Sequence, residues 1–143
     1  LIVCEGNNDR AAIAVLAERI LAAAGSSRSI KILTAMGKLT IPKVANALWN
    51  TFSTDSKVLI VTDGDRDPDG TAAMLERGLE FSEWEAVIPN PSIETWLGLE
   101  AQLARRPRPS LDSFRIAAEA LDIEDLRIVD AEFARFYDTV LGS

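Results

Sequence analysis

The sequence predicts an α/β fold, a parallel four-stranded sheet flanked by helices and followed by a helical C-terminal extension. Three observations carry this. Short apolar runs alternate with segments of helical period from Leu1 to Pro89, which is the signature of βαβ units. Val58-Leu59-Ile60-Val61 are consecutive aliphatic residues, the pattern of a strand buried on both faces. Beyond Pro91 the pattern becomes purely helical.

Taken in order, Leu1 to Cys4 reads as a first strand, and Asp9 to Ala24 as a helix with Ala12, Ile13, Leu16, Ile20 and Leu21 on one face. Gly25-Ser26-Ser27 stops that helix, and Ser29 to Thr34 reads as a second strand. A helix over Ile41 to Phe52 carries Val44, Ala45, Leu48 and Trp49. The third strand spans Lys57 to Thr62, a helix runs from Thr71 to Gly78, and the fourth strand covers Trp84 to Ile88. Helices are then expected over Ser92 to Leu103, Leu111 to Leu121 and Ala131 to Leu141. This reading gives one domain over 1–143, with an α/β core to about residue 104 and a helical extension from about residue 110.

Composition excludes several chemistries. The chain has 143 residues, no histidine and one cysteine, Cys4, so a His-based triad, a Cys/His zinc site and an internal disulfide are ruled out. No apolar run approaches the ~20 residues that span a bilayer, and Leu1-Ile2-Val3-Cys4-Glu5 lacks the basic region of a signal peptide. A cytoplasmic location is therefore expected, with no membrane partner. The chain opens on a strand-like run rather than on Met, so its boundaries are not taken as natural ones. The net charge of −7 opposes binding to a polyanion. Nucleic-acid binding would call for metal ions in the acidic cluster, or for basic surface from another domain or a partner protein. A homo-oligomer is left open.

The chemistry sits at the expected strand ends. Glu5 follows the first strand, and Gly6 permits a sharp turn before Asp9 opens the helix. Asp9 alone is equally well read as a helix cap. Asp63 and Asp65 follow the third strand and, along an extended segment, would share one face above the sheet. Mg²⁺ or Mn²⁺, as one or two ions, would offset such neighbouring carboxylates, and Arg66 is the alternative compensation. Asp67-Pro68-Asp69-Gly70 is turn chemistry, so Asp67 ranks below Asp63 and Asp65 as a ligand. Glu94 lies in the first turn of the helix after the fourth strand, with Ser92 as its cap. Three strand termini thus offer carboxylates, and independent helix caps have no reason to recur in that pattern. Lys38 could reach a phosphate or an acidic neighbour, or stand as an exposed lysine at a helix entrance. Trp49, Trp84, Trp96 and Tyr137 lie among aliphatic or aromatic neighbours and read as packing. Cys4 reads as a small buried hydrophobe.

Glu5-Gly6-x-x-Asp9 and Asp63-x-Asp65 resemble the two acidic motifs of the TOPRIM fold, which is Rossmann-like and occurs in topoisomerases, primases and overcoming-lysogenization-defect (OLD) nucleases. Gly37-Lys38-x-x-Ile41-Pro42-Lys43 and Ile93-Glu94-x-Trp96-Leu97 are most similar to the OLD branch and to small bacterial TOPRIM-like proteins. The resemblance covers nearly the whole chain. It implies a Mg²⁺-dependent nuclease acting on nucleic acid, DNA in the first instance, with a role in phage defence. Glu5, Asp9, Asp63, Asp65 and Glu94 would be catalytic and metal ligands, Asp67 a further ligand, and Lys38 and Arg66 substrate contacts. The family's basic residue on the later helical segment has no lysine counterpart, because none occurs after Lys57. Arg105, Arg106, Arg108 and Arg115 are the substitutes available. No ATP-binding Gly-x-x-x-x-Gly-Lys-[Ser/Thr] accompanies the pattern.

Two other functions are compatible with these residues. One is a regulatory or scaffold domain that keeps the fold and a metal without cleaving and needs a partner. The other is a phosphotransferase with Asp63-Gly64-Asp65 as an Asp-x-Asp pair, although that pair normally follows the first strand and would leave Glu5 and Asp9 without a purpose.

Overall fold

A computed structural model describes residues 1–51, 57–102 and 109–142. The elements are β1 (Ile2–Cys4), α1 (Asn7–Ala23), β2 (Ile32–Thr34), α2 (Ile41–Thr51), β3 (Val58–Val61), α3 (Pro68–Gly78), β4 (Trp84–Val87), α4 (Ile93–Leu97), α5 (Leu111–Ala120), α6 (Ile123–Val129) and α7 (Ala131–Leu141). A short 3₁₀ turn covers Glu100–Gln102.

The four strands form one parallel sheet in the order β2-β1-β3-β4. The chain moves from β1 outward to β2, then back across β1 to β3 and on to β4. Right-handed crossovers require α1 to lie on one face and α2 and α3 on the other, and the packing obeys this. Ile2, Cys4, Leu59 and Val61 pack with α1 residues such as Ile13 and Leu16. Val3, Val58 and Ile60 pack with Ile41, Ala45 and Leu75 of α2 and α3. Alternate side chains of each strand therefore serve opposite cores, so consecutive aliphatic residues were needed in β3.

The C-terminal helices complete the first of these cores. Phe114 and Ala118 of α5 and Phe133, Phe136 and Val140 of α7 are buried in the same cluster as Ile2 and Val61. Trp96 lies edge-on to Phe133, with ring centroids 5.1 Å apart. Arg19 of α1 donates to the carbonyls of Ala118 and Leu121 at 2.8 Å each, which satisfies acceptors at the end of α5.

Local differences from the sequence expectations have physical causes. The helix expected over 92–103 ends at Leu97, because Gly98 adopts φ +70 and caps it. The second strand begins only at Ile32. Helix α6 is absent from the sequence expectations; its seven residues are too few for a helical period to stand out, although Ile123 and Leu126 pack partly buried against the first core, and it is started by Asp122, which accepts from Asp125 N–H.

Candidate metal centre

A parallel sheet binds ligands outside the carboxyl ends of its strands, where the winding direction reverses. Here the reversal lies between β1 and β3, and the first residues beyond those strands carry the acids. Because Cys4 is in register with Val61, Glu5 lies beside Thr62 and next to Asp63.

Glu5, Asp9, Asp63 and Glu94 line one open cleft of about 430 Å³, together with Asn8 and Phe114. Three of these carboxylates are held by one oxygen. Glu5 Oε1 accepts from the Thr62 hydroxyl and from Asp63 N–H at 2.9 Å. Asp63 Oδ1 accepts from Ile93 N–H at 2.8 Å. Asp9 Oδ2 accepts from Gly6 N–H at 3.1 Å, the bond that an N3 residue makes in a capping box, so Asp9 serves the start of its helix as well as lining the cleft. Among the described residues, Glu5 Oε2, Asp9 Oδ1, Asp63 Oδ2 and both oxygens of Glu94 accept no hydrogen bond.

The electrostatics follow from that crowding. Burial, then the neighbouring charges of Glu5 and Glu94, raise Asp9 to about 7. Burial, with Glu5, Asp9 and Glu94, raises Asp63 to about 8, despite the opposing bond from Ile93. No basic side chain among the described residues offsets this repulsion. A hard divalent cation fits this donor set: carboxylate oxygens only, several of them free, and a concentration of negative charge that needs a positive one. As they stand, no three of the carboxylates are gathered into a preformed ligand shell among the described residues.

The other expected site residues lie apart from the cleft lining. The extended run through Asp65 does not form: Asp65 and Arg66 take left-handed φ values of +52 and +67. Asp65 turns to Lys38, with Lys38 Nζ to Asp65 Oδ2 at 2.9 Å. Arg66 donates through its backbone to Asn90 Oδ1 at 3.0 Å and leaves its side chain exposed. Asp67 caps α3 by accepting from Gly70 N–H at 3.0 Å, so Pro68-Asp69-Gly70, expected as a turn before a helix from Thr71, are instead the first turn of that helix, with Pro68 at its first position.

The loop that follows β3 is fixed against the one that follows β4. Gly64 N–H donates to Pro89 O at 2.7 Å and Asp65 N–H to Pro91 O at 2.8 Å. A Cβ on Gly64 would stand 2.8 Å from Asn90 Oδ1, so glycine is required by the close approach of Asn90. Sequence reasoning missed Thr62, Asn90 and Phe114; the readable signal was a hydroxyl residue closing an otherwise aliphatic strand. Cys4 is buried with its thiol pushed up to about 12, chiefly by burial and by Asp9, and is no nucleophile. Arg105, Arg106 and Arg108 lie outside the described residues, and Arg115 pairs with Asp112 on the surface.

No family profile, curated protein or solved structure matches the chain.

Proposed function

We propose that the chain is a TOPRIM-type, Rossmann-like domain of the OLD-like kind that hydrolyses phosphodiester bonds in nucleic acid, DNA in the first instance, with the aid of Mg²⁺ or Mn²⁺. The observation that carries this reading is the convergence of Glu5, Asp9, Asp63 and Glu94, from the ends of three strands, on one cleft at the point where the sheet reverses its winding. These four residues would hold one or two ions. Such an ion, when bound, polarises a phosphoryl oxygen and makes water nucleophilic at neutral pH. The chain's own groups prepare the site: backbone N–H groups of Gly6, Asp63 and Ile93 fix one oxygen of Asp9, Glu5 and Asp63 respectively, which leaves the second oxygens free.

Lys38 and Arg66 follow the carboxyl ends of β2 and β3 and would supply positive charge for substrate phosphates. Asp65 occupies Lys38 until a phosphate competes for it. Asp65 and Asp67 are assigned to this rim, Asp65 holding Lys38 and Asp67 holding the start of α3. A cytoplasmic role in bacterial phage defence suits the family resemblance. No helix among the described residues is long and apolar enough to cross a membrane.

A second reading is favoured by the net charge of −7 and by the engagement of Lys38 with Asp65. In that reading the domain binds metal but requires a partner to supply basic surface, and does not cleave alone. Incubating supercoiled plasmid and single-stranded DNA with the protein and Mg²⁺ or Mn²⁺ separates the two. Nicking abolished by EDTA and by Asp63→Ala supports the nuclease. Metal-dependent stabilisation without any cleavage supports the regulatory domain.

A further inference from the structure

Thr62 is one of two buried polar residues among those described, at 1% exposure. It follows four aliphatic residues, and its backbone N–H extends the pairing of β3 with β4 by donating to Val87 O at 3.2 Å. Valine would fill such a position without placing a hydroxyl out of water, a burial that is costly unless the hydroxyl is bonded. The hydroxyl is bonded, to Glu5 Oε1 across the strand boundary. Because Asp63 N–H takes the same oxygen, Oε1 is saturated and Oε2 is the atom left for the cleft.

We propose that Thr62 is a positioning residue that presents Glu5 Oε2 to the bound cation; this rests on the metal-binding reading above. The backbone N–H of Asp63 restrains Glu5 from one direction only, so the carboxylate could still swing about that bond. The Thr62 hydroxyl adds a second restraint on the same oxygen and fixes the plane of the carboxylate. Thr71, the other buried polar residue, makes only a long contact of 3.4 Å to Gly64 O and has no such link to a cleft carboxylate.

The test is calorimetric titration of Mn²⁺ into the wild type, Thr62→Val and Thr62→Ser, with thermal unfolding of each in EDTA. Loss of an outer-shell partner commonly weakens metal binding by about 10–100-fold. Thr62→Val is expected to weaken Mn²⁺ binding to that extent while unfolding in EDTA no earlier than the wild type. Thr62→Ser, which keeps the hydroxyl, is expected to bind within about threefold of the wild type. Wild-type affinity in Thr62→Val overturns the positioning role and leaves the metal site standing. An equal loss in both variants, with earlier unfolding, also overturns it, since packing alone would then be responsible. Absence of Mn²⁺ binding by the wild type overturns the metal reading and this inference together.

Discussion

Asp63 Oδ1 accepts a hydrogen bond from Ile93 N–H at 2.8 Å, which ties the terminus of β3 to the first residue of α4, the helix that carries Glu94. Two acids far apart in the chain are thereby fixed to a common frame. The bond supports the ionised form of Asp63, yet burial and three neighbouring carboxylates outweigh it. The cleft thus concentrates the negative charge of four carboxylates.

Removing one of these charges should stabilise the metal-free protein. Asn in place of Asp63 can still accept from Ile93 N–H while ending the repulsion with Glu5, Asp9 and Glu94. Asp63→Asn is expected to raise the Tm in EDTA at pH 8 by about 2–6 °C, the span that ~1 kcal/mol produces in a domain of this size, and to abolish cleavage. Differential scanning calorimetry checks the first effect and the plasmid assay the second.

Stability should also depend on pH in a direction opposite to that of a salt-bridged carboxylate. The folded values of Asp9 and Asp63 lie near 7 and 8, above the ordinary 3.8. Between these limits the folded state binds more protons than the unfolded state, so stability falls as pH rises. Without divalent ions, the contribution is complete below about pH 4 and is lost progressively up to about pH 8. Urea unfolding in EDTA at pH 5.5 and pH 8 is expected to show a lower midpoint at pH 8. Saturating Mg²⁺ should raise the midpoint more at pH 8 than at pH 5.5, because metal and protons compete for the same oxygens.

Much of this arrangement was legible in the sequence. The run Val58–Val61 announced a strand serving two cores, and Glu5, Asp63 and Glu94 stood just beyond strand ends, where a parallel sheet gathers its ligands. Alternation with Asp63 predicts that Asp65 shares its face, but the backbone is left-handed at Asp65 and, without any signal from its residue type, at Arg66, and the Asp65 side chain pairs with Lys38. Helix α6 is hard to read because it is only seven residues long: Ile123 and Leu126 pack on the core while Ile128 and Val129 are exposed, too short a segment to show a helical period. Thr62 was counted only as the end of a strand, since its bond to Glu5 depends on the register of β1 against β3, which local sequence does not encode.

Gly64 offers a test of the frame separate from the acids. Gly64→Ala would drive its Cβ against Asn90, 2.8 Å from Oδ1 and 3.2 Å from Cβ, and push apart the loops that follow β3 and β4. A loss of about 1–3 kcal/mol in unfolding free energy is expected, accompanied by weaker Mn²⁺ binding because Asp63 and Glu94 no longer share a frame. Denaturant titration and calorimetry measure the two.

Lys38 should matter to substrate and hardly at all to folding. Its pair with Asp65 is solvent-exposed on the Asp65 side and of a kind worth at most ~1 kcal/mol. Lys38→Ala is expected to leave Tm within about 3 °C. It should weaken duplex DNA binding in Ca²⁺ and lower the slope of log K against log salt by about 0.9, as for one lost phosphate contact. Fluorescence anisotropy across a salt series gives both quantities.

The most direct measurement is anomalous scattering from crystals of the wild-type protein soaked in Mn²⁺ at pH 8. The expected result is one or two strong peaks in the cleft within coordination distance of Glu5, Asp9, Asp63 and Glu94, absent from Asp63→Asn crystals treated alike. A fully soaked crystal with no peak in that cleft would contradict the claim that these carboxylates form a metal centre.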